Sequence, residues 1–183
     1  MKYPTLIDFF FEEFEKAGIR YVLIGGFAIN SYGITRDTLD IDFLTCRVDY
    51  DKIVGVLKKE GYREYQLTET FARLESKEPK LMNLDFIFVD LDILTRMLQE
   101  ARTITMVGKK FKVPSLNHMI ALKLHAVKHN LENRWFKDVP DLVQLIRKNG
   151  VEMRSREMKD LFLSYGTKKL YDKVLAGCEG RVP

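Results

Sequence analysis

Leu39-Asp40-Ile41-Asp42-Phe43 places two carboxylates, two residues apart, inside an otherwise apolar run. Successive side chains of a β-strand point to opposite faces of a sheet, so Asp40 and Asp42 project from one face. The three apolar side chains of the stretch, including Leu39, then fill the other face. Two neighbouring anions repel each other and are tolerated when water, an arginine or a cation neutralises them. The stretch therefore predicts a strand with one core face and one strongly acidic face.

A third carboxylate lies in a similar run, Leu84-Asp85-Phe86-Ile87-Phe88-Val89. If this strand is next to the first, Asp85 converges with Asp40 and Asp42. Three convergent oxygen ligands suit Mg²⁺, or Mn²⁺, which keeps several waters and shares the phosphate oxygens of a substrate. The pattern predicts a metal site formed by the three aspartates. The alternative is that they lie on the solvent face of a half-exposed sheet.

Gly25-Gly26 ends a short β-rich run, and thirteen residues separate Gly26 from Asp40. Glycine permits a tight turn and leaves backbone N–H groups open to phosphate oxygens. The pair is neither a P-loop nor a dinucleotide fingerprint, because the residues that complete those motifs are missing. It is a candidate nucleotide-binding turn, and a plain strand-to-helix turn is the alternative.

The order of predicted elements is mixed α/β first and mostly helical afterwards, which favours an α/β (α+β) fold built on a small mixed sheet with flanking helices. We expect a catalytic core over 1–114 and a helical extension over 115–183, packed as one compact unit. Helices are predicted at 5–17, 27–32, 50–59, 93–101, 115–130, 138–148, 154–164 and 167–176. Strands are predicted at 20–24, 39–46, 62–74 and 81–89, with a hairpin at 103–113.

Composition narrows the class of protein. With 183 residues, 46% hydrophobic and 31% charged, the chain can bury a core. No apolar run approaches the roughly 18 residues of a membrane span, and the N-terminus lacks the order of a signal peptide, so we expect a cytoplasmic protein with no membrane partner. Cys46 and Cys178 are the only cysteines, which excludes a disulfide framework.

Charge is distributed unequally between the two halves. Residues 1–92 hold 12 basic and 17 acidic side chains, whereas residues 93–183 hold 18 basic and 9 acidic ones. An acidic half beside a basic half suggests cation binding in the first and polyanion binding in the second. The alternative is a set of solvated helix faces.

Lys123 stands out on the helix predicted from Ser115, because it falls in the middle of an apolar stripe that includes Ile120 and Val127. A buried lysine needs an anionic partner or a route to solvent. The strand carboxylates, or a triphosphate held near them, would supply one. A structural salt bridge is the alternative.

Taken together, the motifs resemble the nucleotidyltransferase superfamily of the DNA polymerase β type. Its signature is h-G-[G/S], then D-h-[D/E]-h, then a carboxylate on a later strand. Here it reads Leu23-Ile24-Gly25-Gly26, Leu39-Asp40-Ile41-Asp42-Phe43 and Leu84-Asp85-Phe86. Arg36-Asp37-Thr38 is similar to the R-x-T-x-D-h-D variant of minimal nucleotidyltransferases and AbiEii-like toxins.

The resemblance extends into the second half and covers roughly residues 20 to 145. Lys123, followed by Arg134-Trp135-Phe136-Lys137-Asp138-Val139-Pro140-Asp141-Leu142, is similar to the AbiEii pattern of a helical lysine and R-x-x-K-D-x-x-D-L. This similarity implies that Lys123 contacts nucleotide phosphates and that Asp138 serves the active site. From the residues alone, Asp138 before Val139-Pro140 is also a candidate helix N-cap.

The resemblance implies Mg²⁺- or Mn²⁺-dependent transfer of a nucleoside monophosphate from a nucleoside triphosphate to an acceptor hydroxyl. The acceptor would be the 3′ end of tRNA or another RNA, a protein, or a small molecule. A toxin role with an antitoxin-type partner belongs to the same resemblance. The implied roles are two-metal ligation by Asp40 and Asp42, ligation and proton acceptance by Asp85, and nucleotide binding by Gly25, Gly26, Arg36 and Lys123. The alternative is a non-catalytic nucleotide- or RNA-binding module of the same fold.

Overall fold

The computed structural model describes residues 3–78 and 81–180, which form two compact units. The first holds residues 3–28 and Arg36–Ser115, and the second holds Ile29–Thr35 and residues 116–180. The first is mixed α/β and the second is helical. The predicted mixed class is confirmed.

The helices are α1 Leu6–Lys16, α2 Gly25–Asn30, α3 Tyr50–Leu57, α4 Leu91–Gln99, α5 Leu116–His129, α6 Leu131–Lys148, α7 Arg156–Tyr165 and α8 Lys168–Cys178. The strands are β1 Tyr21–Leu23, β2 Asp40–Thr45, β3 Tyr62–Leu67, β4 Phe71–Ser76, β5 Asn83–Phe88, β6 Arg102–Met106 and β7 Lys109–Val113. Short 3₁₀ turns follow β2 and α3, at Arg47–Asp49 and Lys58–Glu60. Among the described residues, no helix is long and apolar enough to cross a membrane.

The main sheet has five strands in the order β1-β2-β5-β4-β3, and β6 pairs with β7 in a separate hairpin. β2 and β5 run parallel, while the other neighbours are antiparallel, so the sheet is mixed as predicted. The stretch 62–74, predicted as one extended run, is a hairpin of β3 and β4. The Thr68 N–H closes its turn by donating to the Phe71 carbonyl at 2.7 Å.

One face of this sheet carries the aromatic core of the first unit. Phe43 of β2 and Phe86 of β5 stack with ring centroids 5.2 Å apart, and Phe14 of α1 lies 5.6 Å from Phe43. All three rings are fully buried. The prediction that Leu39 shares this face is wrong, because β2 begins at Asp40 and the Leu39 side chain is 88% exposed.

Helix α6 is longer than predicted and begins at Leu131 instead of residue 138. It contains Pro140, which removes one backbone hydrogen bond. The helix continues through the proline because a buried apolar face follows it: Leu142, Leu145 and Ile146. Asp138 is therefore inside a helix, and its assignment as an N-cap is wrong.

Candidate active site

The three predicted carboxylates come together on one face of the main sheet. In the parallel pair of β2 and β5, Asp42 is directly opposite Asp85, and Asp40 is two residues back on the same side of β2. One oxygen from each of Asp40, Asp42 and Asp85 lies within 4.8 Å of the others. Asp85 is buried, whereas Asp40 and Asp42 are half-buried and reach solvent.

This arrangement fits a divalent cation by its chemistry. All three donors are carboxylate oxygens, the ligands that Mg²⁺ and Mn²⁺ prefer, and the two half-buried aspartates leave room for water and phosphate oxygens. Without a cation, three carboxylates at this spacing repel one another. The residues present therefore suit a metal that shares its coordination with a bound substrate.

Gly25 lies in direct contact with the aspartate cluster. Its φ of +63° is in the left-handed region that glycine adopts without strain. A β-carbon at this position would overlap the carboxylate of Asp42. The neighbouring Ile24 N–H donates to the Asp42 carbonyl at 2.9 Å, which ties the turn to β2. The first glycine is required by the position of the aspartate.

Gly26 acts on the other aspartate through Thr38. A β-carbon on Gly26 would lie 2.6 Å from the Thr38 Cβ, so glycine allows the threonine to approach. The Thr38 hydroxyl lies 3.0 Å from both the carbonyl and the Oδ1 of Asp40. Gly26, Thr38 and Asp40 thus form a chain of contacts that fixes the rotamer of the first carboxylate.

Arg73 of β4 is a member of the site that the sequence reading missed. It is opposite Asp85 in the antiparallel pair of β4 and β5. Its Nε donates to Asp85 Oδ1 at 2.7 Å and its Nη2 donates to Asp85 Oδ2 at 2.6 Å. Hydrogen bonding to Asp85 raises the pKa of Arg73 against the opposing effect of burial, and the charge of Asp40 adds to the rise. The sequence does contain a pattern that could have indicated this role. Arg73 lies between Ala72 and Leu74, so a charged side chain alternates with two core residues along the strand.

The eight predicted site residues are divided between the two units. Six lie in the first: Gly25, Gly26, Arg36, Asp40, Asp42 and Asp85. Arg36 is half-buried in the segment between α2 and β2. Lys123 and Asp138 lie in the second unit, on α5 and α6.

Lys123 is 8% exposed, as expected for a lysine on an apolar stripe. Its Nζ donates to Asp138 Oδ1 at 2.6 Å and to Asp141 Oδ2 at 2.7 Å. Both aspartates are buried. The structural salt bridge considered for Lys123 is present, and a phosphate role for this lysine stays a prediction.

One carboxylate oxygen next to Lys123 lacks a hydrogen bond. Asp138 Oδ2 is buried and has no hydrogen-bond donor among the described residues. Arg134 Nη1 lies 3.8 Å from this oxygen, which is beyond hydrogen-bonding distance. A buried carboxylate oxygen without a donor is costly, and a ligand hydroxyl or ammonium group would satisfy it.

The second unit also carries a cationic groove. Its volume is about 580 Å³, and it is lined by Gly33, Thr35, Gln144, Arg147, Lys148 and two aliphatic residues. The charged residues in this lining are both basic. The groove accords with the excess of basic residues in the second half of the sequence.

Three solved structures that are similar to this chain are an antibiotic-resistance factor, an antibiotic adenylyltransferase and a nucleotidyltransferase-like protein. The antibiotic-resistance factor ANT(2″)-Ia, solved with adenylyl-2″-tobramycin, is 14% identical with a TM-score of 0.59, and 97% of each chain is covered. The lincosamide antibiotic adenylyltransferase LnuA, solved with lincomycin, is 17% identical with a TM-score of 0.53, over 72% of this chain and 90% of LnuA. A nucleotidyltransferase-like antigen from Paracoccidioides brasiliensis is 18% identical with a TM-score of 0.53, over 90% of this chain and 88% of the antigen. At these identities the similarity establishes the fold.

The sequence itself establishes the family. Residues 8–180 match the family described as "uncharacterised nucleotidyltransferase", and the chain belongs to it. None of the curated proteins compared with the chain matches it. The predicted membership of the nucleotidyltransferase superfamily is confirmed, and the AbiEii-like branch stays a prediction.

Proposed function

We propose that the protein transfers a nucleoside monophosphate from a nucleoside triphosphate to an acceptor hydroxyl. The acceptor oxygen forms a bond to the α-phosphorus, the bridging bond to the β-phosphate breaks, and pyrophosphate leaves with the bonding electrons. The convergence of Asp40, Asp42 and Asp85 within 4.8 Å carries this proposal. Membership of the nucleotidyltransferase family supports it.

Asp40 and Asp42 would hold Mg²⁺ or Mn²⁺, with Asp85 as the third ligand. Two such ions would polarise the α-phosphate, lower the pKa of the acceptor hydroxyl and stabilise the leaving pyrophosphate. Thr38 and Gly25 keep the first two carboxylates in place. Asp85 would accept the acceptor proton through an oxygen lone pair that Arg73 leaves open. Catalysis by this chain is then mainly positioning and charge compensation.

The nucleotide would bind beside the Gly25-Gly26 turn, which carries no side chains of its own and directly contacts Asp42 and Thr38. Arg36 and Lys123 are proposed phosphate contacts, on the strength of the motifs that they share with the superfamily. For Lys123 this role requires exchange of a carboxylate partner for a phosphate, since Asp138 and Asp141 now accept its hydrogen bonds.

RNA 3′ hydroxyls are the first acceptors to test, because the second unit bears the cationic groove of Arg147 and Lys148. Asp138 Oδ2, which has no donor in the described part of the chain, favours an acceptor that presents a hydroxyl or an ammonium group. Two of the structural neighbours are solved with molecules that carry such groups, namely lincomycin and adenylyl-2″-tobramycin. Antibiotics of these kinds form the second set of acceptors, and protein hydroxyls form the third.

The test incubates the full chain with Mg²⁺, each α-³²P-labelled triphosphate, and one acceptor class at a time. The expected result is label transfer with one triphosphate and one class. Asp42→Asn should abolish transfer, while Asp51→Asn, an exposed carboxylate in the same unit, should leave it unchanged.

A non-catalytic module would give a different pattern. It would bind a labelled triphosphate in equilibrium dialysis, transfer no label to any acceptor, and release no pyrophosphate. That result would overturn the proposed reaction and favour the nucleotide- or RNA-binding alternative.

A toxin role is a separate proposal that rests on the motifs around Arg36 and Lys123. Expression of the wild-type chain should arrest growth, and Asp42→Asn should relieve the arrest. Equal growth with both chains at equal expression would contradict a toxin role without affecting the proposed chemistry.

A further inference from the structure

Helix α6 has one face that is exposed along most of its length, and we call this surface the α6 face. From residue 136 onward its exposed side chains are Phe136, Lys137, Pro140, Gln144, Arg147 and Lys148. None of them is acidic, because Asp138 and Asp141 of the same helix are buried and Glu132 lies one turn before Phe136. The α6 face is therefore basic or uncharged from residue 136 to the end of the helix.

Phe136 lies at the N-terminal end of the α6 face. It is 86% exposed, whereas the neighbouring Trp135 packs against the buried core of the second unit. The ring of Phe136 therefore contributes nothing to that core. A flat aromatic ring in water can stack on a base of a single strand, and it accepts every base because each has a π-face.

A groove with fixed walls lies at the other end of the α6 face. Arg147 and Lys148 line it from α6, and Gly33 lines it from the segment after α2. A β-carbon on Gly33 would lie 3.3 Å from Lys148 Cε, so the lysine stem packs directly against the glycine. The side-chain amide of Asn149 donates to the Tyr32 carbonyl at 3.3 Å, which joins that segment to the end of α6. The two walls of the groove are thus held together.

The two cations of this groove are open to a ligand. Among residues 3–78 and 81–180, no carboxylate forms an ion pair with Arg147 or Lys148. Basic side chains in the last turn of a helix interact favourably with its dipole, which accounts for their position but supplies no counter-ion. The dipole also leaves Phe136 unexplained, because that residue lies at the opposite end of the face. Phosphate oxygens would supply the counter-charge.

The spacing along α6 connects the aromatic ring to the cations. Phe136 and Arg147 are about three helical turns apart, so they lie on the same side of α6, roughly 16 Å apart along its axis. Val143, which also lines the groove, lies between them on that side. A strand stacked at about 3.4 Å per nucleotide would cover this distance with about five nucleotides. One bound strand can therefore contact both ends of the α6 face.

We propose that the α6 face binds single-stranded nucleic acid, with Phe136 stacked on a base and Arg147 and Lys148 bound to backbone phosphates. The inference rests on the proposed function, for which it makes the acceptor a polynucleotide strand. An acidic polypeptide would use the two cations but would not need the exposed ring. A duplex would offer its phosphates but keep the faces of its bases stacked inside the helix.

Fluorescence anisotropy of the full chain with a labelled single strand of about ten nucleotides tests the proposal. RNA and DNA of one sequence serve as probes, and the one that binds more tightly identifies the acceptor strand. Phe136→Ala should weaken binding at least about fivefold without changing its dependence on salt. Arg147→Gln together with Lys148→Gln should weaken binding at least about tenfold. This double variant should also lower the slope of log Kd against log salt by about 1.4, as expected for the loss of two phosphate contacts.

Helix α7 of the same unit supplies the matched controls. Leu163→Ala removes an apolar side chain from a residue that is 60% exposed, and Arg156→Gln together with Lys159→Gln removes two exposed cations. Both control variants should bind the strand as the wild type does. Unchanged binding by Phe136→Ala would overturn the inference. Competition by a duplex or by poly-glutamate that equals competition by the unlabelled single strand would also overturn it.

Transfer assays separate a failure of this inference from a failure of the proposed function. Asp42→Asn should bind the labelled strand as the wild type does, although it transfers no label from a triphosphate. Transfer to lincomycin or tobramycin by a chain that binds no single strand would overturn the role of the α6 face and leave the proposed function intact. Strand binding that depends on Phe136, with no pyrophosphate released from any triphosphate, would support the α6 face and overturn the proposed function.

Discussion

Gly25 and Asp42 approach so closely that the glycine occupies space that a β-carbon would take from the Asp42 carboxylate. The contact joins the strand-to-helix turn to the acidic face of β2. Thirteen residues separate Gly26 from Asp40. The contact explains why the glycine turn and the aspartate pair nevertheless belong to one motif. Gly25 thus leaves the space that the Asp42 carboxylate needs, independently of any contact between the turn and a phosphate.

Gly25→Ala should therefore lower the free energy of unfolding and also abolish the further stabilisation of the fold by a bound metal ion. Gly18→Ala is a matched control, because Gly18 has a φ of +61° and no atom within 4 Å of its added β-carbon. Both variants should lose about 1–2 kcal/mol from the left-handed backbone strain alone. Only Gly25→Ala should also lose the rise in Tm that Mn²⁺ gives. Equal Mn²⁺-induced shifts in the two variants would contradict the contact.

Thr38→Val should slow transfer while leaving the fold intact. The change removes the hydroxyl that lies 3.0 Å from Asp40 Oδ1 but keeps the shape that packs against Gly26. We expect kcat to fall on the order of tenfold, because the Asp40 carboxylate, a proposed metal ligand, is no longer held in one rotamer. Thr38→Ser keeps the hydroxyl and should retain most of the activity. A full kcat for Thr38→Val in steady-state assays would show that the threonine is not needed for positioning.

Lys123→Met should destabilise the second unit by about 3–5 kcal/mol, because Asp138 and Asp141 are left buried without their counter-charge. The triple variant Lys123→Met, Asp138→Asn, Asp141→Asn also removes the two buried negative charges. It should recover much of the lost free energy of unfolding, as measured by urea denaturation. Nucleotide affinity then separates the two roles. A triple variant that is stable but binds triphosphate weakly supports a phosphate contact, whereas normal binding leaves Lys123 with a structural role.

Asp49 should make folding sensitive to acid. Burial by itself raises the pKa of Asp49, but the hydrogen bond from Lys52 and the charge of Arg20 outweigh it, and the pKa is lowered overall. A carboxyl with a lower pKa in the folded state stabilises the fold above its unfolded pKa of about 3.9, and this contribution is lost as pH falls further. Asp49→Asn should reduce the fall in the free energy of unfolding between pH 5 and pH 2, as measured by urea denaturation. If this free energy falls as steeply in Asp49→Asn as in the control variant Asp51→Asn, the role assigned to Asp49 is wrong.

The predictability of the site follows from the range of the interactions that build it. The alternation of side chains along a strand is a local property, so the sequence alone predicts that Asp40 and Asp42 lie on one face. Arg73 was missed because its partnership with Asp85 depends on the register of the β4–β5 pair, which no local pattern fixes.

The helical half shows the same division between local and long-range information. The burial of Lys123 was predictable from the apolar stripe around it. Its partners were not identified, because Pro140 suggested a helix start and Asp138 was read as a cap. The helix begins seven residues earlier, and Asp138 and Asp141 are one turn apart on its buried side.

The sheet order has a consequence for the sequence of folding events. Arg73 and Asp85 are only 12 residues apart, so β4 and β5 can pair early, at a low cost in loop-closure entropy. β2 is separated from β5 by a much longer stretch of sequence, so we expect its aspartates to meet an Asp85 that Arg73 already pairs. We expect Arg73→Gln to refold more slowly than the wild type and to be accelerated by Mg²⁺, as stopped-flow fluorescence can measure. Arg73 would then serve as a temporary counter-charge for Asp85 while the sheet assembles.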